Sequence, residues 1–337
     1  MSRDRLPIRE LTPLVERALR AAAGEFGIQP DALVAEYVLN WGGFGTPSFS
    51  VQDGQRRLHV KLTDDPRQKS ELRRWQSIHD LLEQEYHAPP MVGWLTIDGT
   101  AYEGPVFAFI DGVFLDGFRM PNVVAEVLDC VERLHADTGL AFRLTPHATV
   151  NSHLDCLLAR TQMLREDLEI IRAERPPFVP SSRLAWMADR LERLDQAARD
   201  SGAFGGLAQS AIHWDLWWNN FLVRPNGQWY ILDWDSLGLG DPALDVSTVL
   251  FPLSCGNASH GDAARPWPDS WLRHPKDEAF SVRMRIYRQA QVLEYVIDVL
   301  ADWVEARKVP ELQAEVRARK QQEHEQFLAI YHRDYGE

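Results

Sequence analysis

The feature that most constrains this chain is one stretch, residues 213–245, in which polar side chains flank two short apolar runs. The runs cover residues 221–223 and 229–232, and the segment between them contains the step Asn226-Gly227. An Asn-Gly step between two apolar runs is a strong signal for a tight turn between antiparallel strands. The stretch therefore predicts a β-hairpin.

Three side chains that carry oxygen ligands flank this hairpin. Asn220 precedes its first strand, Asp233 follows its second, and Asp215 lies on the loop that enters it. Antiparallel pairing would place Asn220 beside Asp233, and their oxygens are hard ligands suited to Mg²⁺. The spacing His213-x-Asp215-x-x-x-x-Asn220 with a downstream Asp is typical of phosphoryl transfer in kinase-like folds. The residues alone leave open a polar turn, or an unrelated metal site that uses His213 and Asp215.

Composition narrows the classes of protein. The 337 residues are 45% hydrophobic and 25% charged, which indicates a globular chain of one to three domains. A net charge of −13 without a basic stripe argues against nucleic-acid binding, and an acidic balance suits a cationic or neutral small substrate. No apolar run is long enough to span a membrane or to form a signal peptide. Three distant cysteines, Cys130, Cys156 and Cys255, favour a reducing cytoplasm.

A glycine-rich turn lies within residues 37–51, between two apolar runs. Glycines let backbone N–H groups face phosphate oxygens with no Cβ in the way, so we expect phosphate contacts here. The candidate residues are Gly43, Gly45, Thr46 and Ser48. The Gly-x-Gly-x-x-Gly form of protein kinases is incomplete, because Ser48 stands where the third glycine would be. An ordinary turn is the alternative.

Lys61 lies in the apolar run 58–62, whose alternation puts His59 and Lys61 on one face of a strand. A predicted amphipathic helix follows over residues 69–86, with Glu71 at the start of its inward face. A carboxylate on that face needs a cation, so we predict an ion pair between Lys61 and Glu71. The alternative is that Glu71 is an acid favoured by the helix dipole near a helix start.

Other segments give a coarser pattern. Apolar residues at helical spacing predict helices over residues 8–26, from 123 onward, about 151–174, 182–201 and 277–334. Residues 101–112 predict a strand that then leaves its sheet. Another helix begins near Asp241-Pro242, and Asp245 within it is a candidate to brace the loop at Asp215.

Residues 252–275 predict a long loop that holds two tryptophans, Trp267 and Trp271, the second beside Leu272. A long loop that follows the residues of a candidate site could contact a substrate or could be a surface excursion. Both interpretations stay open.

In their order along most of the chain, these motifs resemble those of the aminoglycoside phosphotransferase and choline kinase family. The motifs are the segment 42–51, Lys61, Glu71, Leu134-His135, His213-Trp214-Asp215 with Asn220, Asp233-Trp234-Asp235, and Gly240-Asp241-Pro242 with Asp245. The resemblance implies an α+β, protein-kinase-like fold of two lobes. Residues 1–109 would form a small antiparallel-sheet lobe with one main helix, and residues 110–337 a larger, mostly helical lobe. It also implies ATP, Mg²⁺ and a small-molecule hydroxyl acceptor.

The same resemblance implies a role for each residue at the hairpin. Asp215 would be the catalytic base, and His213 would fix the loop without carrying a proton. Asn220 and Asp233 would hold the metal ions.

On the nucleotide side, the resemblance implies that Lys61 holds the phosphates and that Glu71 orients Lys61. The strand end that joins the lobes would contact the adenine edge through its backbone. The residues concerned are Phe107, Phe109 and Ile110.

The chain departs from the family in its tryptophans. Members commonly have glycine where Trp214 stands, and smaller or more polar residues where Trp217 and Trp218 stand. Tryptophans near the base suit stacking on a sugar face or a cation, although they could instead pack into the larger lobe. The candidate substrate residues are Trp217, Trp218, Asp235, Trp267 and the tryptophan beside Leu272.

The sequence thus predicts an ATP- and Mg²⁺-dependent kinase that phosphorylates a hydroxyl of an amino sugar, antibiotic, sugar or amino alcohol. Protein kinases have Arg where Trp214 stands and an Ala-Pro-Glu segment that this sequence lacks, so we expect no protein substrate. Two alternatives remain: a nucleotide-binding pseudokinase that acts as an interaction module, and a metal-dependent hydrolase.

Overall fold

The computed structural model describes residues 6–39, 46–256, 262–268, 270–272, 277–308, 310 and 312–336. Its helices are α1 Ile8–Ala21, α2 Ala23–Phe26, α3 Pro66–Tyr86, α4 Pro121–Ala136, α5 Thr138–Leu144, α6 His153–Ala173, α7 Ser181–Asp200, α8 Pro242–Cys255, α9 Phe280–Glu305 and α10 Gln313–Tyr335. Its strands are β1 Val34–Val38, β2 Ser48–Gln52, β3 Arg57–Lys61, β4 Met91–Thr96, β5 Glu103–Ala108, β6 Val113–Phe114, β7 Ser210–Ile212, β8 Phe221–Val223, β9 Trp229–Ile231 and β10 Gly238–Gly240.

The chain divides into two compact units. The first extends to Val113 and includes residues 222–235 and 308–310, and the second contains the remainder. The first unit therefore runs past residue 109, where the sequence places a lobe boundary. The division of function between residues 1–109 and 110–337 stays a prediction.

The first unit is built on a five-stranded antiparallel sheet with the strand order β1-β2-β3-β5-β4. Strand β2 lies between β1 and β3, so Ser48 is opposite both Val38 and Lys61. The sheet and α1 share a core that includes Leu11, Val15 and Val60. Burial of these side chains explains the alternating pattern of the strands. The predicted small antiparallel-sheet unit is confirmed.

Helix α3 is the main helix of this unit, and its start and packing follow local rules. The Asp65 side chain accepts from the N–H groups of Arg67 and Gln68, and Pro66 occupies the first helical turn. These are ordinary N-terminal signals. Trp75 of α3 stacks on Phe107 of β5, with ring centroids 4.8 Å apart. The helix is thereby fixed against the sheet.

The hairpin predicted from the Asn-Gly step is present. Strands β8 and β9 are hydrogen-bonded neighbours in a three-stranded sheet with β6. The Arg224 N–H donates to the Gln228 carbonyl at 2.8 Å, and Gly227 has a φ of +85° within the turn. Glycine adopts this left-handed conformation without steric cost, which explains the residue at this position.

The second unit is mostly helical. Its core is formed by apolar faces of α6, α7, α8, α9 and α10, with Leu168, Met187 and Val296 among the fully covered side chains. Within the described part of the chain, no helix is long and apolar enough to cross a membrane.

Helix α8 corrects the predicted loop at residues 252–275. The helix continues through Cys255 and carries Pro252 within its last turns. A proline inside a helix costs on the order of 3 kcal/mol. Phe251 and Leu253 on either side of it are buried, and burial of such side chains is worth about 2 kcal/mol each. The gain from burial explains why the helix passes the proline.

The contact between β3 and β5 predicts a severe effect of one small substitution. A Cβ at Gly104 would lie 1.9 Å from the carbonyl oxygen of Lys61. We expect Gly104→Ala to lower the free energy of unfolding by about 3 kcal/mol, measured by urea denaturation, because the backbone must shift. Gly24→Ala is the matched control, since a Cβ there meets no heavy atom within 4 Å. Equal stability of the two variants would contradict the described approach of the strands.

Candidate active site

Residues 213–220, named here the Asp215 loop, are tied to the start of α8. The Asp245 carboxylate accepts from the N–H groups of His213 at 2.8 Å and Trp214 at 3.0 Å. His135 of α4 contacts the same carboxylate at 3.1 Å through Nε2. Asp245 is fully buried, and these bonds replace its water. Its predicted bracing role at the loop is therefore confirmed.

Within the loop, three predicted residues are brought together. His213 is fully buried, and its Nδ1 lies 3.3 Å from the N–H of Asp215. The Asn220 amide group donates to the Asp215 carboxylate and to the Asp215 carbonyl oxygen, both at 2.8 Å. Because the amide nitrogen is used in this way, Oδ1 is the atom with which Asn220 could bind a cation.

Trp214 has a backbone conformation that the sequence does not reveal. Its φ is +73°, in the left-handed region that favours glycine. A bulky residue in this region costs on the order of 1 kcal/mol or more. The indole N–H donates to the Leu239 carbonyl at 3.2 Å. The position needs the conformation for which glycine is suited, yet the chain holds a tryptophan there.

The remaining tryptophans are held by packing. Trp217 makes edge contacts with Phe251 and Tyr295, at centroid distances of 5.4 and 5.2 Å. The Trp218 indole donates to the Val249 carbonyl at 2.8 Å. Both rings stay partly exposed. Packing explains much of each ring, and their contact with a substrate stays a prediction.

The two tryptophans predicted near the end of the long loop differ in environment. The Trp267 indole donates to the Leu250 carbonyl of α8 at 2.8 Å, which holds it against that helix. Trp271, beside Leu272, contributes to a separate cavity of about 820 Å³ in the second unit. A role of either tryptophan in substrate binding stays a prediction.

That cavity lies among the C-terminal half of α4, the loop at residues 202–210, and the starts of α8 and α9. His135, which contacts Asp245, forms part of its wall. Its lining otherwise comes from segments outside the Asp215 loop. The cavity is therefore not where the predicted acceptor residues converge.

In the first unit, Lys61 lies between two carboxylates. Its Nζ is 3.1 Å from Asp233 Oδ1 and 2.7 Å from Asp235 Oδ2, and its side chain is 7% exposed. Burial opposes the charge of Lys61, but the two carboxylates outweigh burial and raise its pKa above the ordinary value. Lys61 is thus held as a cation.

The predicted ion pair between Lys61 and Glu71 is wrong. Glu71 instead pairs with Arg67 one turn earlier on α3, at 3.2 Å. Two acids from the segment after β9 already satisfy Lys61, and a local partner satisfies Glu71.

Helix α3 still reaches this site, through a residue that sequence reasoning missed. Arg74 donates to the backbone carbonyl of Asp235 at 2.7 Å. Asp233, two residues earlier, has a φ of +56°. Asp235, predicted as a substrate residue, therefore lies beside the phosphate-binding candidate Lys61. An arginine on an amphipathic helix resembles any solvated residue, so no sequence signal marked Arg74.

His59 is a second residue whose environment the sequence did not reveal. It lies two residues before Lys61 on β3, in register with Ser50 and Phe107. Burial lowers the pKa of His59 to about 4; the Asp233 charge opposes this shift and the Lys61 charge adds to it. The imidazole is therefore neutral at pH 7.

The other nucleotide candidates lie near this strand. Phe107 packs inward against α3, and the Phe109 N–H donates to the Arg57 carbonyl at 3.1 Å. A nucleotide base could take the Phe109 N–H only by breaking that bond. Ile110 follows directly after Phe109 and lies outside the strands. The adenine contact stays a prediction.

In the glycine-rich segment, Ser48 is the first residue of β2, and Thr46 precedes it in a bend. Gly43 and Gly45 lie outside the described residues. Phosphate binding by this segment therefore also stays a prediction.

The fold and these residues define a class, the phosphotransferases with a protein-kinase-like fold. The model of the family described as "Phosphotransferase enzyme family" matches residues 36–279, which is more than half of the chain. The chain belongs to this family and is a phosphotransferase with an alcohol group as acceptor. A search of curated proteins found no significant match.

Solved structures resemble the chain over nearly its full length. A choline kinase from Cryptosporidium parvum Iowa II is 14% identical, with 94% of each chain covered and a TM-score of 0.57. A thermostable mutant of the aminoglycoside phosphotransferase APH(4)-Ia, solved with AMP-PNP and hygromycin B, is 18% identical, with 93% of this chain and 98% of that chain covered and a TM-score of 0.54. A choline kinase from Streptococcus pneumoniae is 12% identical, with 96% and 100% covered and a TM-score of 0.54. At these identities the likeness shows the fold, which confirms the predicted two-lobed α+β class.

The low pKa of His59 predicts an acid-sensitive contribution to stability. Its folded pKa of about 4 lies below the unfolded value near 6.5, so this contribution is complete above pH 6.5 and is lost as the pH falls towards 4. Between pH 7.5 and pH 5, we expect the stability of the wild type relative to His59→Gln to fall by about 1 kcal/mol. This value is smaller than the full pKa shift would give, because the His59 side chain is only partly buried. Urea denaturation at both pH values measures this difference.

The exposed His147 provides the control, as His147→Gln also removes an imidazole. An equal stability difference between wild type and His59→Gln at the two pH values would show that His59 is not desolvated in the folded chain.

Proposed function

We propose that this phosphotransferase transfers the γ-phosphate of ATP, with Mg²⁺, to a hydroxyl group of a small molecule. The proposed acceptors are amino sugars, antibiotics, sugars and amino alcohols. Support comes from family membership and from solved structures of the same fold, which include a choline kinase and aminoglycoside phosphotransferases in complex with kanamycin or hygromycin B.

One observation carries the proposal: the Asn220 amide holds the Asp215 carboxylate at 2.8 Å within a loop whose backbone is tied to Asp245. A general base must be held within reach of the proton that it accepts. Asn220 thereby fixes the direction of the Asp215 carboxylate. Asp215 is the residue best suited to this role.

The chemistry of the two proposed ligands suits a magnesium ion that is bound together with a nucleotide. Asp233 offers a carboxylate that is 33% exposed, and Asn220 offers Oδ1. Mg²⁺ prefers oxygen ligands and takes its remaining ones from water and substrate phosphates. Lys61 and the segment with Thr46 and Ser48 are proposed to hold the phosphates. When bound, MgATP supplies the phosphoryl group and the divalent charge that offsets the negative charge of the phosphates.

In the proposed mechanism, Asp215 accepts the proton of the acceptor hydroxyl. The oxygen of that hydroxyl meanwhile forms a bond to the γ-phosphorus. The bond from that phosphorus to the oxygen it shares with the β-phosphate breaks, and ADP leaves. Lys61, held as a cation, balances charge on the phosphates. His213 keeps the loop in shape through its contact with the Asp215 N–H and carries no proton in this scheme.

The environment of His213 disfavours the hydrolase, and the residues that the chain retains disfavour the pseudokinase. A hydrolase centred on His213 would need that ring as a metal ligand, but His213 is fully buried and its Nδ1 faces the Asp215 N–H. Among the described residues, no group of three or more His, Cys, Asp or Glu side chains could hold a metal ion. A pseudokinase has usually lost one of Lys61, Asp215, Asn220 and Asp233, and this chain keeps all four.

One prediction from the proposed function concerns Asp215 as the general base. With Mg-ATP and a panel of amino sugars, antibiotics, choline, sugars and homoserine, we expect acceptor-dependent ADP release that Asp215→Asn lowers about 1,000-fold, a typical loss for a general base. Asp80→Asn, a change at an exposed acid on α3, should leave the rate unaltered. Full activity of a folded Asp215→Asn variant would refute the assignment, and ATP binding without turnover of any acceptor would favour the pseudokinase.

The second prediction separates metal binding from charge balance at Lys61. Asp233 and Asp235 both pair with Lys61, so either Asn variant removes one partner. We expect only Asp233→Asn to raise the Mg²⁺ concentration for half-maximal activity, by about tenfold, because Asp233 alone is proposed as a ligand. Magnesium titrations at saturating ATP measure this effect. The same shift in both variants would remove Asp233 from the metal site.

A further inference from the structure

Arg160 of α6 contacts the Asp215 loop, although no motif marks it. One guanidinium nitrogen donates to the Trp214 carbonyl at 3.2 Å. The other donates to both carboxylate oxygens of Glu294 on α9, at 2.7 and 2.5 Å. The Arg160 side chain is 11% exposed. A single fork thus joins two helices to the residue that precedes Asp215.

The contacted carbonyl belongs to the residue with the unfavourable backbone. Trp214 has a φ of +73°, and a non-glycine residue keeps such a conformation only when its surroundings hold it. Asp245 accepts from the Trp214 N–H, and Arg160 donates to the Trp214 carbonyl. Both peptide groups that flank the Trp214 Cα are therefore held. That carbonyl is part of the peptide plane that leads into Asp215, so its orientation sets the direction of the base.

The ion pair with Glu294 makes Arg160 a firm support. Burial opposes the charge of Arg160, but Glu294, and to a smaller extent Asp215, outweigh it and raise the Arg160 pKa. One guanidinium nitrogen binds Glu294 and the other binds the Trp214 carbonyl, so the planar group is fixed in direction as well as in place.

We propose that Arg160, oriented by Glu294, is a positioning residue that holds the strained peptide at Trp214 and so aims Asp215 at the acceptor hydroxyl. This inference rests on the proposed function, because it assumes that Asp215 is the base. A simple tie between α6 and α9 is the rival explanation. The tie would affect stability alone, whereas positioning affects turnover.

The test compares Arg160→Met with the wild type in the ADP-release assay. A misplaced base slows the chemical step, so we expect kcat to fall about 10- to 100-fold, with the KM for MgATP changed less than about threefold. Arg165→Met is the matched control, because Arg165 also lies on α6 and pairs with Asp195 on α7, at 2.6 Å. The control should lose stability without this loss of kcat. Equal kcat values for wild type and Arg160→Met would overturn the proposal.

A double-mutant cycle with Trp214→Gly tests the strain itself. Glycine adopts a positive φ without support, so loss of Arg160 should matter less in this background. We expect Arg160→Met to lower kcat less than about threefold when Trp214→Gly is present. An equal loss in both backgrounds would overturn the link to the strained peptide.

Two further variants guard against misfolding and a pure charge effect. Glu294→Gln keeps the size of the partner but weakens the bond that orients Arg160, and should lower kcat several-fold. Arg160→Lys keeps the charge but replaces the fork with one ammonium group, so kcat should stay well below that of the wild type. Full activity of Arg160→Lys would show that charge alone suffices and would refute positioning.

Hydrogen exchange separates this inference from the proposed function. In Arg160→Met, and not in Arg165→Met, peptides that cover residues 213–220 should exchange faster, because the support of the loop is lost. Unchanged exchange would refute the positioning role even if no acceptor is found. Faster exchange in Arg160→Met would show that Arg160 holds the loop. If the wild type then releases no ADP with any acceptor, the result would count against the proposed function and not against this inference.

Discussion

The buried carboxylate of Asp245 is the constraint on which the second unit's site depends. It receives two consecutive N–H groups of the Asp215 loop and a histidine from α4, so one side chain fixes a turn and connects it to two helices. A buried carboxylate destabilises the fold unless all its hydrogen bonds are made. Removal of one partner leaves a buried polar group without a hydrogen bond. Loss of any one partner is therefore expected to weaken the whole arrangement. Asp215, two residues from His213, takes its place from this contact.

Much of this architecture follows from local patterns in the sequence. The hairpin β8–β9 follows from two apolar runs and an Asn-Gly step, and α3 from helical spacing. The pairing of side chains was less predictable. Lys61 lies 172 residues from Asp233 in the chain, and only the folded structure decides between that partner and Glu71. Arg74 and Arg160 carry no local signal, because an arginine on a helix usually faces water.

The tryptophan at position 214 shows how packing and backbone strain are balanced in this chain. The ring is partly buried against a small cluster that includes Cys156 and Ala208, and its indole nitrogen has a partner. Those contacts offset part of the cost of a left-handed backbone. A glycine would remove the strain but also the contacts. Tryptophan at this position therefore gives a more tightly packed loop at the cost of a less favourable backbone conformation.

The pairing of Lys61 with two acids has a consequence for how ligands bind. Any polyanion that takes Lys61 must compete with Asp233 and Asp235, so the site resists a polyanion that arrives alone. A cation that occupies Asp233 withdraws one competitor and makes Lys61 easier to reach. By thermodynamic reciprocity, each ligand then raises the affinity for the other by the same factor. Under the proposed function, the resting charges of the protein would thus favour an anion that binds together with a cation.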